Sequence, residues 1–283
     1  MAEWKKTPDG IEIPPPGPDD VLYVKQEGIA RITLNRPLVL NALNKNVWRL
    51  LHAALTEAET DDEVKVVILT GAGRSFCAGG DMWSSLYPDD QPAPSGLEVQ
   101  TMIWSLSKPV IAAVRGHAVG QGCELAGVCD FTIASEDAKL GEIQIRHGAN
   151  PPVLITPFLV SMKQAKELLL LGEMVDAPEA QRLGLVNRVV PGARLDEEAE
   201  TLARKLAALP QATVRLNKML VNRVYELSGL REAFAYRDDQ AFQDLVNSSG
   251  QDAATQERIR IRQEVGWYAF LRSRDTMYGK DQP

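Results

Sequence analysis

Several features that define common protein classes are scarce or missing in this sequence. It has three cysteines, Cys77, Cys123 and Cys129, and their spacing matches neither a disulfide framework nor a set of metal ligands. No apolar run is long enough to cross a bilayer, and the N-terminal residues lack the pattern of a secretion signal. We therefore expect a cytoplasmic protein with reduced thiols, no metal site and no membrane partner.

An excess of positive charge is also missing. The formal net charge is -7, whereas broad binding to nucleic acid needs clustered Lys and Arg that displace counterions from the phosphates. The sequence therefore argues against a nucleic-acid partner and favours a small molecule or another protein. The hydrophobic content of 45% is enough to form a sizeable buried core.

Short apolar strands followed by glycine-rich turns are present twice. Both VVILTGAGRSFCAGGDM and VIAAVRGHAVGQGCEL run from a strand through such a turn to the start of a helix, which indicates a layered α/β fold. Residues 1–20 are rich in proline and charge, so we expect a poorly ordered N-terminal arm. The pattern predicts a core over 21–211 and a helical C-terminal region over 212–283.

The two glycine-rich turns are candidate anion sites. Backbone amides that converge where a strand passes into a helix can hold an anionic oxygen, and two such amides facing a thioester carbonyl form an oxyanion hole. Each turn taken alone is better explained by tight packing of a helix on a strand. Neither is a P-loop, because no Gly-Lys-Ser/Thr follows, and GQGCEL lacks the third glycine of a dinucleotide site.

Four stretches taken together resemble the enoyl-CoA hydratase/isomerase family, also called the crotonase family. They are LNRPLVLNAL, LTGAGRSFCAGGDM, KPVIAAVRGHAVGQGCELAGVCDFTIASEDAKLGEIQIRHG and a later segment ending in GLVNRVVP. The resemblance implies an α/β fold, a crotonase-like spiral of repeated ββα units with a helical C-terminal trimerisation region. It also implies an acyl-CoA thioester substrate, coenzyme A as part of that substrate with no prosthetic group, and a homotrimer or hexamer.

Carried over residue by residue, the resemblance places the oxyanion-hole amides on Gly80 and Gln121. It assigns substrate or CoA binding to Ala78, Leu38, Leu40 and Arg272. Family members often have Lys or Arg where Leu38 stands, so a phosphate contact is expected from elsewhere. Arg272 is one candidate, with a solvated helix face as the alternative.

The catalytic residues show one departure from the family. Glu124 matches the first catalytic glutamate, but the second, expected twenty positions later, is replaced by Gln144. A neutral amide can orient a water molecule, yet it does not exchange protons at useful rates near neutral pH. His147 is a candidate base because histidine titrates near neutrality, whereas Glu142 is expected to be a solvated surface carboxylate.

Three functions remain open at this stage. The first is an enoyl-CoA hydratase-like lyase in which Glu124 alone handles the proton. The second uses the same oxyanion hole for double-bond isomerisation or for hydrolytic C–C cleavage of a β-dicarbonyl substrate. The third is a non-catalytic acyl-CoA binder. All three share the fold, and a fold alone does not determine the reaction.

Overall fold

The computed structural model describes residues 3–236, 239–250 and 252–276. Positions 1–2 of the predicted arm and 277–283 of the predicted C-terminal region lie outside the described residues. The strands are β1 (Lys5–Lys6), β2 (Glu12–Ile13), β3 (Val21–Gln26), β4 (Ile29–Leu34), β5 (Val66–Gly71), β6 (Val110–Val114), β7 (His117–Val119), β8 (Phe131–Ser135), β9 (Lys139–Gly141), β10 (Val175–Asp176) and β11 (Arg188–Val190).

The helices increase in frequency towards the C-terminus. They are α1 (Lys45–Thr60), α2 (Gly96–Ser105), α3 (Gln121–Gly127), α4 (Thr156–Leu159), α5 (Met162–Leu171), α6 (Ala177–Leu183), α7 (Leu195–Ala207), α8 (Gln211–Leu227), α9 (Leu230–Ala235), α10 (Gln240–Ser249), α11 (Ala253–Arg260) and α12 (Trp267–Asp275). Short 3-10 turns interrupt the connections, and the one at Ile143–His147 belongs to the site described below.

The main sheet has six strands in the order β11-β8-β6-β5-β4-β3. Its pairs are parallel except for the hairpin of β3 with β4. Every residue of the central strand β5 is buried, as expected for a parallel strand covered on both faces. Side chains alternate between the faces, so Val66 and Ile68 pack with α7 while Val67 and Leu69 join the larger core under α1 and α2.

A smaller sheet in the order β10-β9-β7 lies beside the main one. Strand β7 pairs with β9 in parallel, and it leads directly into Gly120 and α3. Thus β6 and β7 deliver the second glycine-rich turn, and β5 delivers the first. The layered α/β architecture predicted from the repeated strand-turn-helix order is confirmed.

Residues 3–20 differ from the poorly ordered arm that their composition predicts. Strands β1 and β2 pair as a hairpin, and Ile13 is almost fully buried. The Tyr87 hydroxyl oxygen lies 2.8 Å from the Ile13 carbonyl, to which it donates, and 3.1 Å from the Glu3 carbonyl. The number of apolar residues does not predict how this segment is held, because hydrogen bonds between its backbone and the Tyr87 side chain also attach it.

Within the described residues, the helices are all too short or too polar to cross a membrane.

Candidate active site

The two glycine-rich turns lie side by side. The loop that follows β5 pairs with β7: the Cys77 amide donates to the His117 carbonyl at 2.8 Å, and the Val119 amide donates back to the Cys77 carbonyl at 3.0 Å. This pairing carries the chain from Cys77 to Gly80 along the strand that leads into α3. The end of one turn is therefore held against the start of the other.

Glycine is required where the turns touch. Gly79 and Gly120 have φ values of +87° and +57°, a region that other residues adopt at a cost. A Cβ on Gly79 would lie 2.8 Å from the Val119 carbonyl oxygen and 3.4 Å from the Gln121 amide nitrogen. Any larger residue would push the turns apart.

The backbone amides of Gly80 and Gln121 stand next to this contact. Neither amide donates a hydrogen bond to a residue that the structure describes. The Gln121 side chain lies between the turns and α2, because a Cβ built on Gly80 would be 3.0 Å from Gln121 Oε1 and one built on Gly96 would be 3.0 Å from Gln121 Nε2. Gln121 therefore narrows the space beside its own amide.

Glu124 lies in the first turn of α3, three residues after Gln121, and its side chain is fully buried. Gln144 Nε2 donates to Glu124 Oε1 at 2.9 Å, and Gln100 Nε2 from α2 lies 3.4 Å from Glu124 Oε2. The structure thus brings Glu124 and Gln144 together, and both are close to the glycine turns.

Glu142 joins this pair, contrary to the solvated position expected for it. Its side chain is buried, Gln144 Nε2 donates to its Oε2 at 2.9 Å, and Thr156 Oγ1 donates to its Oε1 at 2.5 Å. Burial raises the pKa of Glu142 to about 7, although the hydrogen bonds from Thr156 and Gln144 favour the ionised form. The expectation was wrong because Thr156, on α4 and 14 residues further along the chain, covers the carboxylate.

His147, at the other end of the same 3-10 turn, has different surroundings. Its Nε2 lies 3.2 Å from Arg274 Nη1, and its ring meets Phe270 edge-on with centroids 5.5 Å apart. Burial, aided by the Arg274 charge, lowers the pKa of His147 to about 3. With this pKa the imidazole is neutral near pH 7.

The residues assigned to substrate or CoA binding fall into two groups. The Ala78 amide donates to the Leu40 carbonyl at 2.9 Å, so these two lie together beside the first turn. Leu38 sits in the adjoining 3-10 turn and is 71% exposed. Arg272 is an exposed residue of α12, a helix whose inner residue Phe270 packs on His147.

Sequence reasoning missed an ion pair that supports the first turn. Arg36 Nη1 donates to Asp81 Oδ2 at 2.8 Å with both side chains buried. Asp81 Oδ1 also accepts a hydrogen bond from the Trp83 amide at 2.9 Å. The Trp83 ring meets Trp267 with centroids 6.2 Å apart, so α12 bridges the first turn and the His147 side of the site.

Sequence reasoning also missed Gln100 and Thr156, which contact Glu124 and Glu142. Both residues come from helices far along the chain from their partners, and each is an uncharged polar residue without a motif around it. The one weak signal in the sequence is that Gln100 lies between the apolar residues Val99 and Ile103, which are buried on the same helix.

Comparison with known proteins places this chain in a family. The family model for enoyl-CoA hydratase/isomerase matches residues 24–277. The chain is 35% identical over 264 residues to the crotonyl-CoA hydratase of Syntrophomonas wolfei, covering 90% of this chain and 96% of that protein. It is also 35% identical to the short-chain-enoyl-CoA hydratase of Clostridium acetobutylicum, covering 88% and 98%.

Solved structures agree. An enoyl-CoA hydratase/isomerase from Xanthobacter autotrophicus Py2 superposes with a TM-score of 0.85 at 35% identity, covering 92% of this chain and 99% of that one. The family model, the relatives and the fold together show an enzyme with a crotonase fold. The chain belongs to the enoyl-CoA hydratase/isomerase family.

Proposed function

We propose that this enzyme adds water to the double bond of a 2-enoyl-CoA thioester, with Glu124 as its principal acid and base. Two observations carry the proposal. Glu124 is buried beside two touching glycine turns. The Gly80 and Gln121 amides of these turns donate no hydrogen bond to a described residue. The names of the relatives from Syntrophomonas wolfei and Clostridium acetobutylicum support the same reaction.

In this mechanism the thioester carbonyl accepts hydrogen bonds from the Gly80 and Gln121 amides. Glu124 takes a proton from a water molecule while the water oxygen bonds to the β-carbon. The electron pair of the double bond then moves onto the thioester as an enolate, which the two amides stabilise. Glu124 returns the same proton to the α-carbon, so that one water molecule is added in total.

One carboxylate is enough for this sequence because the proton leaves and returns on the same group. Gln144 does not exchange protons near neutral pH, and neutral His147 is held by Arg274 on the far side of the turn. We therefore assign all proton transfer to Glu124 and an orienting role to Gln144.

Coenzyme A enters as part of the substrate, and no prosthetic group is needed for this chemistry. We propose that the chain around Leu40 and Ala78 contacts the CoA moiety mainly through backbone groups. Arg272, exposed on α12, is the proposed phosphate contact, since Leu38 offers no charge there.

We further propose that the enzyme is a homotrimer or hexamer. Helix α8 exposes an apolar face, and its members are spaced by one helical turn or less: Leu216, Met219, Leu220, Val221, Val224 and Leu227. Light scattering of the Leu220→Glu and Val224→Glu double variant should show smaller particles than the parent protein. If the particle mass of the double variant equalled that of the parent protein, the subunit contact would not involve this face of α8.

The reaction itself is tested with 2-enoyl-CoA, 3-enoyl-CoA and 3-oxoacyl-CoA esters, with each product identified by mass. Hydration adds the mass of one water to a 2-enoyl ester. An isomerase would give no change in mass, and a C–C hydrolase would shorten the chain of a 3-oxoacyl ester. Binding of every ester without turnover would instead support a non-catalytic role.

A further inference from the structure

The Gln144 side chain is held between two carboxylates. Its Nε2 lies 2.9 Å from Glu124 Oε1 and 2.9 Å from Glu142 Oε2. A side-chain amide nitrogen carries two hydrogens, so each carboxylate receives one. The two acceptor oxygens consequently lie within twice that distance of each other.

This arrangement determines which way the amide faces. When both carboxylates are ionised, the opposite orientation would put the Gln144 carbonyl oxygen against two acceptor oxygens, with no hydrogen between them. The observed orientation directs Oε1 away from both carboxylates. There it is buried and accepts no hydrogen bond from a described residue, which is unusual for a buried acceptor in a folded protein.

The same amide faces the glycine turns. A Cβ built on Gly120 would lie 3.7 Å from the Gln144 amide carbon, 3.8 Å from Gln144 Nε2 and 4.0 Å from the Gly79 Cα atom. The Gln144 amide therefore lies beside the point where the two turns meet, next to the carboxylate of Glu124. Its Oε1, which accepts no hydrogen bond from a described residue, is part of the same group.

Glu142 has no opening of its own to a substrate. Its two oxygens are engaged by Thr156 Oγ1 and by Gln144 Nε2. Its effect on chemistry is therefore transmitted through the amide that it holds.

We propose that Glu142 is a positioning residue that, together with Glu124, fixes the Gln144 amide so that Gln144 Oε1 accepts a hydrogen bond from the hydroxyl group added to the substrate. The inference rests on the proposed hydration. In the forward direction the donor is the attacking water, which gives one proton to Glu124 and keeps the other for Gln144. In the reverse direction the same donor is the hydroxyl of the 3-hydroxyacyl thioester.

The contact of the Gln144 amide with both carboxylates, hereafter the lock, is compatible with protonation of Glu142. The titratable side chains that face this carboxyl among the described residues are Glu124 and Cys123, and the pKa of the Cys123 thiol is raised by burial and by both carboxylates. Burial also raises the pKa of Glu142 to about 7. Whether it is ionised or protonated, Glu142 keeps an oxygen that accepts from Gln144, while the other oxygen faces Thr156.

The kinetic test compares Glu142→Leu, Glu142→Gln and a control, Glu136→Leu, which removes an exposed glutamate. Leucine removes the acceptor, so kcat should fall at least about tenfold through misplacement of the water, with KM changed less than about threefold. Glutamine should recover most of that loss, because its carbonyl oxygen accepts from Gln144 and its amide donates to Thr156.

Two kinetic outcomes would overturn the proposal. An equal loss in both Glu142 variants would mean that Glu142 exchanges protons itself. A Leu variant as active as the Glu136→Leu control would mean that the amide needs no second carboxylate.

A second measurement needs neither turnover nor a Glu142 variant. In protein with ¹⁵N-labelled glutamine, the Gln144 side-chain amide, assigned by its loss in Gln144→Met, should show both protons shifted downfield and slow to exchange. Exchange as fast as that of an exposed glutamine would refute the lock even in an active hydratase. A protected amide in a protein that hydrates no ester would refute the proposed function and leave the lock standing.

Discussion

The two ends of the turn at Ile143–His147 hold buried charge in opposite ways. At the Gln144 end, Glu142 accepts hydrogen bonds from two neutral donors, Thr156 and Gln144. Neutral donors offset only part of the cost of burying a carboxylate, so the pKa of Glu142 is raised to about 7. With a pKa near 7, the Glu142 carboxyl gains or loses its proton in response to small changes in its surroundings at neutral pH.

At the His147 end, opposite charges meet. Asp275 Oδ1 accepts from Arg146 Nη1 at 3.2 Å and from Arg274 Nε at 2.7 Å, while Arg274 also contacts His147. These ion pairs link the turn to α12. The comparison teaches that one short turn combines an end that buries a carboxyl of raised pKa, the proposed reactive end, with an end that fastens α12.

The largest expected effect concerns stability at the reactive end. The folded state keeps Glu142 protonated up to about pH 7, whereas the unfolded chain releases that proton near 4.5. The associated stability is present below 4.5 and is lost as pH rises through 7. Glu142→Gln lacks this loss, so between pH 4 and pH 8 its free energy of unfolding should gain about 3 kcal/mol on the parent protein.

Denaturant unfolding at fixed protein concentration measures this difference at both pH values. Glu136→Gln is the matched control, since that residue is exposed. A difference that does not depend on pH would show that Glu142 is not held protonated, and the contrast between the two ends would fail.

The next effect tests the neutral side chain between the carboxylates. Gln144→Glu replaces a donor with a third carboxyl group next to Glu124 and Glu142, which raises the pKa values of the set and removes the ordered amide. We expect kcat for a 2-enoyl-CoA to fall at least about tenfold at pH 8. A rise in hydratase activity would instead show that the site accepts the two-glutamate arrangement of its family.

The smallest effect is expected at the fastening end. His147→Gln keeps a polar group that accepts from Arg274, so kcat should change by less than about threefold and its pH profile should not shift. Steady-state rates between pH 5 and pH 9 measure both quantities. If one limb of the pH profile disappeared in the variant, His147 would be a proton-transfer group.

Much of this site was predictable from local sequence. The repeated strand-turn-helix order led to the α/β layers, and the resemblance to the family pointed to Glu124 and Gln144, whose side chains meet at 2.9 Å. These features depend on residues close together in sequence or on a motif whose spacing reflects the fold.

The surroundings of Glu142 and His147 were not predictable in the same way. Thr156 buries Glu142 from across a loop, and Arg274 reaches His147 from 127 residues further along the chain. Neither partner carries a motif, and pKa values depend on such contacts more than on residue type. The N-terminal hairpin escaped prediction for a similar reason, since its partner Tyr87 lies in a distant loop.

The central claim is that Glu124 alone carries the proton in a hydration reaction. The most direct measurement compares the parent protein with Glu124→Gln on a short 2-enoyl-CoA, following both rate and product mass. We expect the parent protein to form the 3-hydroxyacyl ester, and the variant to bind the ester with similar affinity but to turn over at least about a hundredfold more slowly. A variant that hydrates as fast as the parent protein, or a parent protein that yields no product heavier by one water, would contradict the account.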